Sequence, residues 1–174
     1  MSIRIAAFDP GVTGSCAFYD GERVYVHDYP TYSVERKTKK LGVPVNTKRT
    51  HYSIEKLAEL IEGLDPDIAI IEEVSARPTD GVIQAFSFGK GYGLLLGMLA
   101  MLNDEGVPTC KVTGVRPAVW KKAIGLPTGS TKNDSRLMAI SLFPELTEDL
   151  KLKKNEGRAE AALLIYYYLN HRKT

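Results

Sequence analysis

The chain has few residues that form disulfides or bind soft metals. Its 174 residues include two cysteines, Cys16 and Cys110, and three histidines, and these do not cluster. Both cysteines lie in apolar, strand-like segments, so we expect free core thiols in a reducing cytoplasm. The lack of a His-rich or Cys-rich cluster argues against a zinc site.

Targeting and repeat signals are also missing. No signal-peptide pattern opens the sequence, and it has no internal repeat or low-complexity tract. The one long apolar run, residues 82–102, is interrupted by Gln84 and Lys90, which predicts a buried helix of a soluble protein rather than a membrane span. With 44% hydrophobic and 25% charged residues, we predict one soluble domain over residues 1–174.

Acidic residues are absent from residues 36–54, although the net charge of the whole chain is only +2. Gly42 and Pro44 interrupt this stretch, which lacks helical periodicity and therefore predicts a long mobile loop. Its basic residues would attract phosphate groups. They are Arg36, Lys37, Lys39, Lys40, Lys48, Arg49 and His51.

Two predicted strands each end in an acidic residue. Residues 3–9, Ile-Arg-Ile-Ala-Ala-Phe-Asp, have mostly apolar side chains on both faces, which is typical of a central strand that ends at Asp9. An Asp that only caps the turn beside Pro10 is the structural alternative. Residues 68–74, Ile-Ala-Ile-Ile-Glu-Glu-Val, repeat the pattern and place Glu72 near the end of a second strand.

The order of elements predicts a mixed α/β fold. Three antiparallel strands come first, followed by helix, strand, long helix, strand and further helices, so we expect a mixed five-stranded sheet flanked by helices. After the first three strands, the predicted ranges are 53–64, 68–74, 81–103, 109–113, 117–124, 132–142 and 156–170.

The last predicted helix adds two acidic residues. Glu156 and Glu160 are one turn apart, so their carboxylates share a face. Glu156 in the first turn is also explained by the helix dipole, whereas Glu160 lies among alanines and leucines, a poor setting for an unpaired charge. With Asp9 and Glu72 they form an all-oxygen set that suits Mg²⁺ or Mn²⁺, and two such ions can promote phosphodiester cleavage.

Four motifs occur in order along the chain. They are Phe-Asp-Pro-Gly-Val-Thr-Gly at residues 8–14, Ile-Glu-Glu-Val at 71–74, Arg-Pro-Ala-Val-Trp-Lys-Lys at 116–122 and Gly-Arg-Ala-Glu-Ala at 157–161. Together they resemble the RuvC family of Holliday junction resolvases, especially its phage-type branch. The resemblance implies a ribonuclease H-like fold, a homodimer, and paired Mg²⁺-dependent nicks across a four-way DNA junction. We predict a cytoplasmic location, in a bacterial or phage-infected cell.

The resemblance also implies roles for individual residues. Asp9, Glu72 and Glu160 match three metal-binding acids of the family. Lys121 and Lys132 match lysines near the scissile phosphate, although the neighbouring Lys122 could replace Lys121 in that role.

The fourth metal ligand matches less well. Family members place Asp or His shortly before the last acid, where this chain has Asn155 and Glu156, and the three-residue offset of some members falls on Gly157. We predict Glu156 as the ligand, with Asn155 in reserve. Asp9, Glu72, Glu156 and Glu160 would then hold two Mg²⁺ ions, for which Mn²⁺ could substitute.

The long predicted helix has glycine at four-residue spacing, at Gly89, Gly93 and Gly97, a surface that another helix could approach closely. The resemblance implies a dimer interface there, and packing against the chain's own sheet is the alternative. Phe86 and Phe88 suit either a wedge that stacks on junction bases or core packing. The predicted DNA contacts are Lys37, Lys39, Lys40, Lys48, Arg49, Arg77 and Lys122.

These observations predict a structure-selective endonuclease for four-way junctions or other branched DNA. A catalytically inactive junction-binding protein would share the fold and the basic stretch. A phosphotransferase of the actin and sugar-kinase type also uses an Asp-x-Gly-x-x-Gly hairpin, as at residues 9–14, but needs a second phosphate loop, for which this sequence has no clear candidate.

Overall fold

A computed structural model describes residues 2–40, 42–73, 75, 81–103 and 109–171. The strands in these ranges are β1 Ile5–Phe8, β2 Ser15–Tyr19, β3 Val24–Asp28, β4 Thr31–Lys40, β5 Val43–Tyr52, β6 Ile68–Glu72 and β7 Lys111–Val115. The helices are α1 Ile54–Leu64, α2 Val82–Met101, α3 Pro117–Ala123, α4 Lys132–Leu142, α5 Thr147–Leu150 and α6 Glu156–His171, with short 3₁₀ turns at Pro144–Leu146 and Lys153–Asn155.

The main sheet has five strands in the order β3-β2-β1-β6-β7. The first three strands pair antiparallel, and β6 joins β1 in parallel, followed by β7 parallel to β6. This is the mixed five-stranded sheet that the element order predicted, so the predicted fold class is confirmed.

Helices cover both faces of this sheet. Ile5 and Ala7 of β1 pack into a cluster with α6, α4 and α3, whereas Ala6 and Phe8 pack with α1 and α2 on the other face. All four side chains are completely buried. A strand covered on both faces needs a continuous apolar run, so its first polar side chain comes at its end.

Residues 31–52 form a separate two-stranded sheet, so the predicted mobile loop is wrong. Here β4 and β5 pair antiparallel over ten residues each, and Gly42 turns the chain at a φ of +82°. Val34, Val45 and Thr47 are β-branched residues that favour strands, a signal that the surrounding lysines obscured. We call residues 31–52 the basic ribbon.

The long helix α2 is not the buried helix that we predicted. Its buried residues are Leu95 and Leu99, which pack in the core cluster against the sheet, and Gly91, which lies against Tyr52. Val82 and Phe86, by contrast, are 85% and 74% exposed. Within the described ranges, α2 alone is long and apolar enough by length and composition to cross a bilayer, and 17% of that window is buried. Core helices of soluble proteins pass the same test.

The other element boundaries lie close to the predicted ones. The ends of α4 agree with the prediction, and a reciprocal capping box between Thr131 and Asp134 explains its clear start. Strand β7 begins and ends two residues later than predicted, and the turns at residues 144–155 were not predicted. Cys16 and Cys110 are buried free thiols, as predicted.

Candidate active site

The carboxyl ends of β1 and β6 bring Asp9 and Glu72 to the same edge of the sheet. Phe8 pairs with Ile71 in parallel register, so the residues that follow them lie side by side. The turn after β1 is tight, because a Cβ at Gly14 would collide with the carbonyl oxygen of Asp9. This turn keeps the Asp9 carboxylate at the edge of the sheet.

Helix α6 delivers Glu160 to the same edge. Glu160 is 5% exposed and sits between Ala159 and Ala161, whose small side chains let the helix lie close to the sheet. Lys121 Nζ donates to Glu160 Oε1 at 2.6 Å, and Ser135 Oγ donates to the same oxygen at 3.5 Å. The buried carboxylate is therefore partnered, as its burial requires.

Trp120 holds the second strand-end acid. Its indole Nε1–H donates to Glu72 Oε1 at 2.9 Å, and its ring is completely buried below Lys121 Nζ, which lies 5.1 Å from the ring centroid. Sequence reasoning missed Trp120 and Ser135 as partners of the acids. The single tryptophan inside a basic motif was the available signal for Trp120, and Ser135 had none.

Burial and mutual repulsion raise the pKa of two acids of the site. Burial, followed by the charges of Glu160 and Glu72, raises the pKa of Asp9 to about 7, while Lys132 and Lys121 oppose the rise. The pKa of Glu72 is also raised, chiefly by burial, and the indole hydrogen bond opposes that shift. These carboxylates therefore lie close enough to repel one another.

A cleft of about 360 Å³ opens over this edge of the sheet. Five of the six predicted catalytic residues line it: Asp9, Glu72, Glu160, Lys121 and Lys132. The cleft also contacts Glu73 and Phe88, which the sequence had left without an assigned place in the site.

Glu156, the sixth predicted catalytic residue, borders a second hollow of about 220 Å³. This hollow shares Asp9 and Lys132 with the cleft and is also lined by Lys154 and Gly157. The structure thus brings Glu156 near Asp9, but not into the cleft that holds Glu72 and Glu160.

Gly157 faces Asp9 directly. A Cβ at position 157 would lie 3.2 Å from Asp9 Oδ2 and 3.4 Å from Ser15 Oγ. Position 157 lies three residues before Glu160, the offset at which some members of the RuvC family have their fourth ligand. Asn155, the reserve ligand, is buried, and its side-chain amide donates to the carbonyl of Asp149.

An ion pair ties the first turn of α6 to the sheet. Arg158 Nε and Nη2 donate to the two carboxylate oxygens of Asp28 at 2.7 and 2.6 Å, and Ser15 Oγ donates to Asp28 at 3.1 Å. The hydrogen bond from Arg158 is the main cause that lowers the pKa of Asp28. This contact positions the turn that carries Glu156 and Gly157.

The donor set fits a hard divalent cation. Mg²⁺ and Mn²⁺ prefer carboxylate oxygens, and a cation would offset both the burial and the mutual repulsion that raise the pKa of Asp9 and Glu72. Among the described residues, no three His, Cys, Asp or Glu side chains are grouped closely enough to hold an ion as they stand.

Five of the seven predicted DNA contacts lie on the basic ribbon. They are Lys37, Lys39, Lys40, Lys48 and Arg49. Lys122 is exposed on α3 beside Arg116, in a surface hollow separate from the cleft, so the structure places Lys121 rather than Lys122 at the acids. Arg77 lies outside the described residues.

The glycine stripe of α2 faces away from the chain. Gly89, Gly93 and Gly97 are exposed, and a Cβ at any of them would meet nothing within 4 Å, so the alternative of packing against the chain's own sheet is wrong. The dimer interface stays a prediction. Core packing is also wrong for Phe86, while half-buried Phe88 lines both the cleft and the second hollow.

Comparisons with known proteins were made on both sequence and structure. No protein-family model matches the chain. The chloroplastic Holliday junction resolvase MOC1 of Chlamydomonas reinhardtii is 31% identical over 163 residues, which cover 84% of this chain and 17% of that protein. Most of that relative's length therefore lies outside the similarity.

Two solved structures of Thermus thermophilus RuvC share the fold. One, in complex with a Holliday junction substrate, superposes with a TM-score of 0.55 at 15% identity and covers 96% of this chain and 94% of that chain. The other superposes with a TM-score of 0.50 at 17% identity and covers 96% and 95%. The chain therefore has the ribonuclease H-like fold of RuvC and is similar in sequence to part of a Holliday junction resolvase.

Proposed function

We propose that this protein is a divalent-metal-dependent endonuclease that nicks four-way junctions or other branched DNA. The observation that carries the proposal is the convergence of three acids and two lysines on one cleft, at the carboxyl edge of a RuvC-like sheet. The names of the relatives support the substrate, since one is a Holliday junction resolvase and one RuvC was solved with a junction.

The acids and lysines of the cleft have complementary roles in this proposal. Asp9, Glu72 and Glu160 would hold Mg²⁺ or Mn²⁺, with Glu156 completing a two-ion site from the second hollow beside Asp9. The bound ions supply Lewis acidity that activates water and stabilises the leaving oxygen. Lys121 and Lys132 attract the scissile phosphate, and by family resemblance the products carry a 5′-phosphate and a 3′-hydroxyl.

Paired nicking requires two active sites, so we propose a homodimer through the outward glycine stripe of α2. Residues 1–174 would act as one nuclease domain in each subunit. A cytoplasmic location remains a prediction from the sequence, and the chloroplastic compartment of the relative is not transferred to this chain.

Cleavage of a four-way junction with labelled strands tests the proposal. The purified chain should nick the junction when Mg²⁺ or Mn²⁺ is added, and Asp9→Asn should bind the same junction without nicking it. Intact junctions and flaps with both ions, or an Asp9→Asn variant that cuts like the parent, would rule the nuclease out.

A catalytically inactive junction-binding protein is the second candidate. It is favoured by glycine at position 157, which faces Asp9 and offers no side chain as a ligand. Tight junction binding without any metal-dependent cutting would support it over the nuclease.

A further inference from the structure

The net positive charge of this protein comes from the basic ribbon. Residues 31–52 contain six Lys or Arg and one Glu, a net charge of +5, whereas the whole chain has +2, so the remaining residues together carry −3. Residues 31–39 are all exposed, so the basic side chains among them are accessible to solvent. The ribbon therefore attracts DNA, while the rest of the chain has a net charge that opposes it.

Both faces of the ribbon carry cations, and its two arginines lie on the same face. Successive side chains of a strand point to opposite faces, so residues paired in register share a face. The arginine face holds the pairs Tyr32–His51, Val34–Arg49 and Arg36–Thr47, and the register also assigns Lys40 to it, opposite Val43. The lysine face holds the pairs Glu35–Lys48 and Lys37–Asn46, and Lys39.

The arginine face has the chemistry of a base-reading surface. Tyr32 and His51 stack with their ring centroids 5.5 Å apart, and Tyr32 is 55% exposed. Arginine binds planar acceptors with a fork of donors and stacks on rings, whereas lysine acts as a compact charge that suits phosphate. The two faces therefore suit different parts of a duplex.

A ribbon with cations on both faces is poorly matched to one linear duplex. A two-stranded ribbon fits the major groove, which is about 12 Å wide, but it then turns one face to the bases and the other to solvent. Half of its charge would lie without a phosphate partner. Two duplexes that diverge from a branch point would place a phosphate backbone against each face of the ribbon.

We propose that the basic ribbon inserts between two arms of branched DNA, with the arginine face on one duplex and the lysine face on the other. The inference rests on the proposed function for its substrate and adds the means by which a branch is preferred over a linear duplex.

Two double variants separate the faces. Arg36→Ala with Arg49→Ala removes both arginines from the arginine face, and Lys37→Ala with Lys48→Ala removes two of the three lysines from the lysine face. Lys56→Ala with Lys111→Ala is the matched control, because it removes two exposed lysines outside the ribbon. Fluorescence anisotropy in EDTA measures the Kd of each protein for a four-way junction and for a linear duplex of equal length, over a range of salt concentrations.

Each face variant should weaken junction binding by about tenfold and lower the slope of log Kd against log salt by about 2, while the control keeps both values. Duplex binding should change less, since a single duplex can use whichever face remains. The preference for the junction over the duplex should therefore fall in both face variants.

Three results would overturn the inference. If only one face variant loses affinity for the junction, the ribbon makes an ordinary one-sided groove contact. If both variants lose equal affinity for the junction and the duplex, the ribbon has no part in the preference for branched DNA. If neither variant loses affinity, the ribbon does not contact DNA.

Cleavage separates this inference from the proposed function. A parent that cuts junctions while both face variants bind normally refutes only the ribbon, whereas two-faced binding without cutting refutes only the nuclease.

Discussion

The half-buried carboxylate of Asp9 reduces the stability of the folded chain when it is ionised. Its pKa is raised from the ordinary 3.8 to about 7, so the folded chain keeps the proton to higher pH than the unfolded chain does. The stability linked to this proton is complete below pH 3.8 and is lost as the pH rises through about 7. Ionised Asp9 then costs up to about 4 kcal/mol.

Asp9→Asn should therefore stabilise the protein while it abolishes cleavage. In EDTA at about pH 8 we expect a gain of up to about 4 kcal/mol in the free energy of unfolding, which shrinks towards zero as the pH falls to about 4. Denaturant unfolding at several pH values measures it. The exposed Glu59→Gln is the control and should show no such gain. A less stable Asp9→Asn at high pH would contradict the assigned burial and repulsion.

Trp120 is a positioning residue for Glu72. Trp120→Phe keeps an aromatic ring below Lys121 but removes the N–H that donates to Glu72 Oε1. Loss of such an outer partner should weaken Mn²⁺ affinity by about tenfold. Electron paramagnetic resonance of free Mn²⁺ measures this without turnover.

A second variant distinguishes this positioning role from a general loss of core packing. Leu150 is completely buried and belongs to the same core cluster, so Leu150→Ala should lower stability by about 2–5 kcal/mol and leave Mn²⁺ affinity unchanged. Equal Mn²⁺ affinity in Trp120→Phe and the parent would show that the indole does not position Glu72.

At the scale of the element, the start of α6 depends on the Asp28–Arg158 ion pair. Arg158 lowers the pKa of Asp28, so the stability from this pair is present above the ordinary Asp value of 3.8 and is lost as the pH falls through the lower folded value. Asp28 is 61% exposed, and solvent screening limits the contribution to about 1 kcal/mol.

Asp28→Asn should accordingly lower the free energy of unfolding by about 1 kcal/mol at neutral pH, and the difference from the parent should shrink as the pH falls below 3.8. Arg4, a second arginine with an acidic partner, offers a comparison, because Asp65→Asn removes its pair away from α6. Both variants should lose stability, but only Asp28→Asn should also lower Mn²⁺ affinity. An unchanged Mn²⁺ affinity would mean that this ion pair does not position the first turn of α6.

At the scale of the whole molecule, the outward face of α2 is the proposed dimer interface. Gly93 is exposed and open, so Gly93→Leu meets no steric barrier within the subunit, but it would separate two helices packed through their glycines. We expect a monomer by light scattering, with single nicks in place of paired nicks.

The chain supplies a matched control for this change. Gly63 on α1 is also exposed, helical and open around its Cβ, so Gly63→Leu alters helix propensity in the same way and should leave the dimer intact. A Gly93→Leu protein that stays dimeric would place the interface elsewhere.

The acids of the site could be predicted because their signals are local. A two-residue period shows where β1 and β6 end, and an acid among alanines marks Glu160 without any knowledge of its neighbours. The element order likewise determines the mixed sheet, since connection rules leave few topologies for three antiparallel strands followed by helix and strand.

Partners distant in the chain could not be predicted in this way. Trp120 and Glu72 are 48 residues apart, and Ser135 and Glu160 are 25 apart, so their hydrogen bonds exist only once α3, α4 and α6 have packed on the sheet. For the same reason, only the structure shows that position 157 faces Asp9 while Glu156 borders the second hollow.

The sequence alone therefore determined the fold class and the three acids, because strand period, helix period and composition act within one element. Tertiary structure decided the rest: the pairing of β4 with β5 into the basic ribbon, the exposure of one face of α2, and the donors that hold each acid. Those features depend on which surfaces meet, and that is a property of the packed chain rather than of any single segment.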